Sequence, residues 1–370
     1  MKDNWCPEIY KNMFVDSYNN DKIRVAPCCQ AASSIESIDT FDFTTSPHLS
    51  SLRKQFDQGQ RPRACNRCWQ AEDLGHKSRR QSAIEFYNLA EPNTDVVLQG
   101  LDHSATWACN MACIMCGPAN SSLWAKEQSY TASKLEKIGR RFQTDNDILS
   151  KLDVAHIKKI HFNGGEPLLN LHQLTLLRQL DEQDILKDVF ISYNTNGSIF
   201  PDDRVIEYWK RSRLVKLFFS IDATGRAFEY IRWPGNWDQV NKNIQQMRNK
   251  LPGNVMFGLN ITVGNYNLLE LKDLWNWFES TVAANRQGDP SDFNWQIAEN
   301  FNPANCNQLI KHRVIEDLQD ISAMTGIVNY IKSTLGRADH TGWVDIFNGY
   351  DLKRNTNWRE SLKIREYYNA

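Results

Sequence analysis

The residues of this sequence best equipped for chemistry are its nine cysteines, and eight of them fall in two motif-like groups. Cys109, Cys113 and Cys116 form a C-x3-C-x2-C run. Thiolates packed this densely repel one another, and a cation makes them favourable together. An iron-sulfur cubane normally takes four protein thiolates, so a local set of three leaves one iron open to a further ligand. A zinc ion held by these thiols and His103 is the competing reading, although zinc ligands usually come as C-x2-C pairs. The second group is Cys6, Cys28-Cys29 and Cys65-x2-Cys68, whose closing pair suits zinc as well as iron. Cys306 stands apart and reads as a small buried thiol.

Positioning such groups takes a folded scaffold, and the composition provides for one. The 370 residues suggest two or three domains with a sizeable core. With 43 basic against 44 acidic residues, no general charge draws the chain to nucleic acid or an anionic membrane. Lys77, Arg79 and Arg80 form a local basic patch. The stretch Met1 to Cys6 has no apolar run, and no segment approaches the ~18 apolar residues of a membrane span. A cytoplasmic protein is the expectation, with cysteines used for metal rather than for disulfides.

The pattern divides the chain into residues 1–90, 91–300 and 301–370. In the first part Tyr10 to Val15 and Ile23 to Val25 read as a hairpin around Tyr18-Asn19-Asn20-Asp21. A helix is expected from Ser46 as N-cap through Pro47, with Leu49, Leu52 and Phe56 on one face and Gly59 as its stop. The second part alternates strands with amphipathic helices, which signals an α/β fold with a mostly parallel sheet. Strands are expected over Val96 to Thr106, Ile157 to Phe162, Val189 to Asn194, Val215 to Ile221, Val255 to Val263 and Phe293 to Ala298. The helices between them are expected over Leu168 to Asp181, Asp202 to Arg213, Trp237 to Leu251 and Leu268 to Ala283. Six such units make a partial (β/α)6 TIM-like barrel, whose ligands would collect at the strands' carboxyl ends. The third part reads as a helical tail over Cys306 to Ala323, Val328 to Thr334 and Trp358 to Tyr368.

The cysteine loop resembles that of the radical S-adenosylmethionine (SAM) superfamily. One βα unit later comes Gly164-Gly165-Glu166-Pro167, which resembles that family's SAM-amine motif; paired glycines at a strand end let main chain approach a ligand closely. Thr195-Asn196-Gly197, the Ser220 and Asp222 pair, and Arg232 resemble further SAM-contacting positions, and an arginine beside a carboxylate makes physical sense. Two residues depart from the usual pattern. Met115 replaces a common aromatic before the third cysteine but can still contact the adenine ring, and Asn163 stands where threonine or serine is common. The order of hairpin, Cys28-Cys29, helix and Cys65-x2-Cys68, followed by Glu72, Gly75, Ser78 and Arg79-Arg80, resembles a Twitch (SPASM/Twitch-like) auxiliary-cluster domain placed N-terminally.

The resemblance implies two four-iron four-sulfur clusters. Cys109, Cys113 and Cys116 would hold the SAM-binding one, and Cys6, Cys28 or its neighbour Cys29, Cys65 and Cys68 the auxiliary one, with Cys28 preferred. It also implies reductive cleavage of SAM to a 5'-deoxyadenosyl radical that takes hydrogen from a peptide, protein or small metabolite. Flavodoxin or ferredoxin would supply the electron. The cofactor carries that chemistry, while the protein orients it and excludes water. A noncatalytic, zinc-stapled interaction protein is the alternative from another class.

Overall fold

The computed structural model describes residues 4–18, 22–73, 77–88, 93–137, 152–169, 171–282, 288–298 and 300–368. The turn expected at Asn19 to Asp21, Gly75 and the last residue of the helix expected to end at Ala283 lie outside them. In chain order the described elements are α1 (Glu8–Lys11), β1 (Asn12–Ser17), β2 (Lys22–Ala26), β3 (Ser34–Ser37), α2 (Pro47–Asp57), α3 (Asn66–Asp73) and α4 (Arg79–Tyr87). Then come β4 (Gly100–Thr106), α5 (Ser122–Glu127), α6 (Ala132–Lys137), β5 (Lys159–Gly164), α7 (Gln173–Glu182), β6 (Phe190–Thr195), α8 (Asp203–Arg211) and β7 (Leu214–Ser220). The remainder are α9 (Gly225–Ile231), α10 (Trp237–Lys250), β8 (Val255–Val263), α11 (Leu271–Trp277), β9 (Gly288–Ile297), α12 (Gln308–Leu318), α13 (Thr325–Ser333), α14 (Trp343–Arg354) and α15 (Trp358–Ser361). The chain is therefore α/β with a helical C-terminal part, and no described helix is long and apolar enough to cross a membrane.

Contacts group the chain into two compact units. The first comprises residues 1–107, 130–193 and 203–215. Its strands run in the order β3-β2-β1-β4-β5-β6. The hairpin β1/β2 and the β2/β3 pair are antiparallel, and β1 joins β4 in parallel, with Phe14 opposite Asp102. β4, β5 and β6 are parallel and in register, so that Asp102, His161 and Ser192 lie side by side on one face and His103, Phe162 and Tyr193 on the other. The second face is apolar and fully packed. Phe162 stacks on Tyr193, whose hydroxyl donates to Gln173 of α7 (2.5 Å) and accepts from Trp209 of α8 (3.1 Å).

Tyr10 and Lys11 are helical where a strand is expected. Their amides both return to the Pro7 carbonyl (3.0 Å each), closing one turn before β1 begins. α2 follows expectation: the Ser46 hydroxyl accepts from Leu49 N, Pro47 opens the helix, Leu49, Leu52 and Phe56 are buried, and Gly59 takes a φ of 72° just beyond it. α4 begins with a capping box, in which the Ser78 side chain accepts from Gln81 N while the Gln81 side chain accepts from Ser78 N.

The second unit comprises residues 108–129, 194–202 and 216–370. Here β7, β8 and β9 lie in that order, with β8 and β9 parallel and Thr262 opposite Gln296. Burial alternates strictly along β7, so Val215, Leu217 and Phe219 face the core. The tail helices carry an edge-to-face aromatic cluster of Trp343, Phe347, Trp358 and Tyr368. Cys306 is fully buried at the start of this tail, as its isolation suggests.

Candidate functional site

In the second unit the cysteine loop is held by backbone. Ala112 N donates to Trp233 O (2.6 Å) and Ile114 N to Ile231 O (2.9 Å), so the loop lies against the segment that follows α9. That segment carries a cis Trp233-Pro234 bond and then Gly235, where an added Cβ would fall 2.8 Å from Arg232 O and 2.9 Å from Met111 Cε. The other flank is fixed by α5. Its N-cap Ser121 donates to Met111 O (2.6 Å), the Ser122 hydroxyl accepts from Cys109 N (3.1 Å), and the Trp124 indole donates to Cys113 O (3.2 Å).

Arg232 lies beneath the loop. Its Nη2 pairs with Asp222 Oδ2 (2.7 Å) and its Nη1 approaches Cys113 Sγ (3.8 Å), while its Nε is buried without a hydrogen-bond partner. Asp222 is wholly buried, its other oxygen accepts from Thr262 N (2.7 Å), and its backbone carbonyl accepts from Asn267 Nδ2 (3.0 Å). Burial raises the Asp222 carboxyl despite Arg232 and raises the Cys113 and Cys116 thiols. Uncharged thiols are what a buried, metal-free cysteine loop should hold, and a cation would ionise them. The three-thiol donor set above a buried guanidinium fits an anionic cluster with one open iron.

The end of β6 meets the same loop. Asn196 Nδ2 donates to Asn110 Oδ1 (2.9 Å), Asn110 Nδ2 donates to Ser198 Oγ (2.8 Å), and Asn196 Oδ1 accepts from Ser198 N (2.9 Å). Thr195 Oγ1 accepts from Gly197 N (3.2 Å). Asn110, Ser198, Ser121, Ser122, Trp124 and Asn267 were not singled out in the sequence, where each is an unremarked polar or aromatic residue. Met115 and Ser220 are both half-buried, in the loop and at the end of β7.

Gly164, Gly165 and Glu166 belong to the first unit. Gly164 ends β5 with a φ of 116°, a conformation that excludes a side chain without strain. Glu166 is fully buried, and its carboxylate accepts from Leu168 N (3.1 Å), ordering the turn after the motif.

The first unit also gathers the N-terminal thiols. Cys6, Cys28, Cys65 and Cys68 line one cavity, whereas Cys29 is exposed and does not line it. All nine thiols are free, and among the described residues no three His, Cys, Asp or Glu side chains converge on a single metal position. A cubane binds each thiolate at a different iron, so it asks for thiols spread around a cavity. Burial raises Cys6, Cys28 and Cys68 and pushes Cys65 up to about 12. Arg67, Arg79, Arg80 and Glu8 line the same cavity.

Those arginines are not a free basic patch. Arg79 pairs with Glu8 (2.7 Å) and Asp102 (2.6 Å) and donates to Cys29 Sγ (3.3 Å). Arg80 pairs with Glu72 (2.5 Å), donates to Trp5 O (2.8 Å) and lies over the Trp69 ring, and Lys77 pairs with Glu85 (2.6 Å). In the tail, Arg354 pairs with Glu127 (2.5 Å) and lies 5.1 Å over Trp233, while Asp351 accepts from Trp358 N (3.1 Å).

The sequence model of the Radical SAM superfamily matches residues 104–277, a span that holds the cysteine loop, the glycine motif and Arg232. The chain carries a radical SAM domain. It is similar to GTP 3',8-cyclase of Desulforamulus reducens, 27% identical over 144 residues, which are 39% of this chain and 40% of that protein. It is also similar to GTP 3',8-cyclase of Peptoclostridium acidaminophilum, 26% identical over 190 residues, 49% and 54% of the two chains. The chain thus spans 40% to 54% of the length of these relatives. Among solved structures it resembles native anSMEcpe with bound AdoMet, at 16% identity and a TM-score of 0.42 over 67% of this chain and 65% of that one. Streptococcus suis SuiB bound to S-adenosylmethionine matches at 12% identity and a TM-score of 0.34 over 85% and 68%.

Proposed function

We propose that the radical SAM domain is catalytic, with Cys109, Cys113 and Cys116 holding a four-iron four-sulfur cluster whose fourth iron takes SAM. The observation that carries this reading is the cysteine loop fastened over Arg232, whose Nε is buried and unpartnered. A buried guanidinium N–H without an acceptor is costly, and a bound anionic group would satisfy it. With cluster and SAM bound there, the site would have available a 5'-deoxyadenosyl radical able to abstract hydrogen from a substrate. The chain's own residues orient. Asp222 fixes Arg232, Asn110 and Asn196 fix the loop to the end of β6, Gly164 and Gly165 offer main chain to an amine, and Met115 offers a polarisable face to an adenine.

The four cavity thiols, Cys6, Cys28, Cys65 and Cys68, would hold a second cluster with no open iron, suited to moving electrons. Residues 1–90 would then be the Twitch-like auxiliary domain, 91–300 the core and 301–370 an extension. The substrate is a peptide, a protein or a small metabolite, and a flavodoxin or ferredoxin in the cytoplasm would supply electrons.

The test is iron and acid-labile sulfide per chain after anaerobic reconstitution, in the wild type and in a variant with Cys109, Cys113 and Cys116 changed to alanine. About eight irons falling to about four is the expected result, with 5'-deoxyadenosine formed from SAM and dithionite by the wild type alone. Zinc in place of iron would overturn the reading and leave a stapled interaction module.

A further inference from the structure

The two histidines of the first unit's sheet sit in adjacent registers and face opposite ways, and they are not equivalent. His103 lies on the face covered by α7 and α8, only 4% exposed, against Phe162. Its Nδ1 is sealed without a partner, as in a packing histidine. His161 lies on the other face. Along β5 its half-buried neighbours Lys159 and Asn163 alternate with buried Ile160 and Phe162, so this face stays partly open.

Hydrogen bonding assigns the His161 tautomer. Ser192, opposite it on β6, donates its single hydroxyl proton to Ile160 O (3.3 Å). The Ser192 oxygen therefore accepts from His161 Nδ1–H (2.8 Å). With the Ser192 hydroxyl turned to Ile160 O, the proton is on Nδ1 and Nε2 carries a bare lone pair. No described residue hydrogen-bonds Nε2, and it is not among the sealed unpartnered atoms, so it keeps access to solvent. The charged groups around the ring are Asp102 on β4, Lys159 on β5, Arg79 on α4 and Glu8 on α1. They neutralise one another: Arg79 pairs with Glu8 and Asp102, and Lys159 pairs with Glu8 (2.6 Å).

We infer that His161 Nε2 is a substrate-positioning acceptor that receives an uncharged N–H or O–H donor. A fully ionised phosphate brings only acceptors to this lone pair, and the nearby cations are already engaged. Asn163, two residues along the strand and so about 6.6 Å away, offers a second hydrogen-bonding group to the same substrate. The chemistry favoured here is that of an amide or hydroxyl group rather than a polyphosphate. The inference takes the existence of a substrate from the proposed function, and its test needs no turnover.

The test is carbethoxylation of the reconstituted full chain by diethyl pyrocarbonate, which attacks neutral imidazole, read residue by residue by mass spectrometry. Burial pushes the His161 imidazole down to about 4, with Asp102 opposing and Arg79 and Lys159 assisting. At about pH 5 such a ring is neutral roughly thirty-fold more often than an ordinary histidine. His161 should therefore label on the order of ten-fold faster than an ordinary exposed histidine. Ser192→Ala, which removes the acceptor that holds the proton on Nδ1, should slow that labelling. N-acetylglycinamide should protect His161 but not His312, and tripolyphosphate, compared at about pH 9 where it is ionised, should protect neither. An unreactive His161, labelling unchanged by Ser192→Ala, no protection by the amide, or protection by tripolyphosphate would each overturn the inference. Loss of the iron signature with this labelling intact would instead count against the proposed function alone.

Discussion

Arg232 links the loop's thiols to the fold through one buried ion pair. Removing one member of a buried pair leaves the other charge uncompensated, which costs about 3–5 kcal/mol, whereas replacing both by apolar groups is often close to neutral. Asp222→Asn should therefore lower unfolding stability by about 3–5 kcal/mol. The double change Asp222→Leu with Arg232→Met should recover most of that in urea titrations, while losing any SAM binding. If the single change were silent, the pair would not be the anchor described. Gly164 makes a different demand. With its φ of 116°, Gly164→Ala should cost about 1–3 kcal/mol through backbone strain, visible as a lowered urea midpoint with an unchanged slope.

Among the elements, α4 carries more than its length suggests. Its capping box starts the helix that presents Arg79 and Arg80 to the thiol cavity, and the Ser78 hydroxyl also donates to Glu72 (2.5 Å), the partner of Arg80. Ser78→Ala should cost about 1–2 kcal/mol as a lost cap. It should also loosen iron retention in the N-terminal cavity selectively, leaving the iron retained through Cys109, Cys113 and Cys116 unchanged in a metal count. Equal loss from both groups would mean general unfolding. Elements of this kind differ in how well the sequence declares them. α2 was legible because cap, proline and apolar spacing agree along a short stretch, and β8 because apolar and polar residues alternate from Leu259 to Val263. Tyr10 misleads, because Pro7 closes a helical turn ahead of the strand that its apolar neighbours suggest. The helix expected from Leu168 begins only at Gln173, after a 3-10 turn at Pro167–Leu169 that Glu166 helps to order. α14 is not legible in the sequence, since its apolar residues do not gather on one face.

Across the whole molecule, what the sequence declares is local and what it withholds is long-range. Both cysteine groups and the glycine motif could be read from spacing, but the parallel pairing of β1 with β4 and the contacts of Asn110 with residues 86 and 88 positions away could not. Buried His103 belongs with these long-range features, because only the folded sheet removes it from water. Burial pushes both His103 and His161 down from 6.5 to about 4. The unfolded chain then binds more protons than the native one between these values, so stability rises with pH in that window. The contribution is intact above about pH 6.5 and is lost as pH falls toward 4, at up to about 1.4 kcal/mol per pH unit for each ring. Asp222 and Glu270, whose carboxyls burial raises, work in the opposite sense, so the histidine share has to be isolated by difference. His103→Phe keeps a ring between Phe162 and the strand and removes one titration. Urea titrations at about pH 6.5 and 5.5 should show the wild type losing on the order of 1 kcal/mol more than the variant across that step. Equal losses in the two proteins would mean that His103 takes up its proton in the native state as readily as in the unfolded chain.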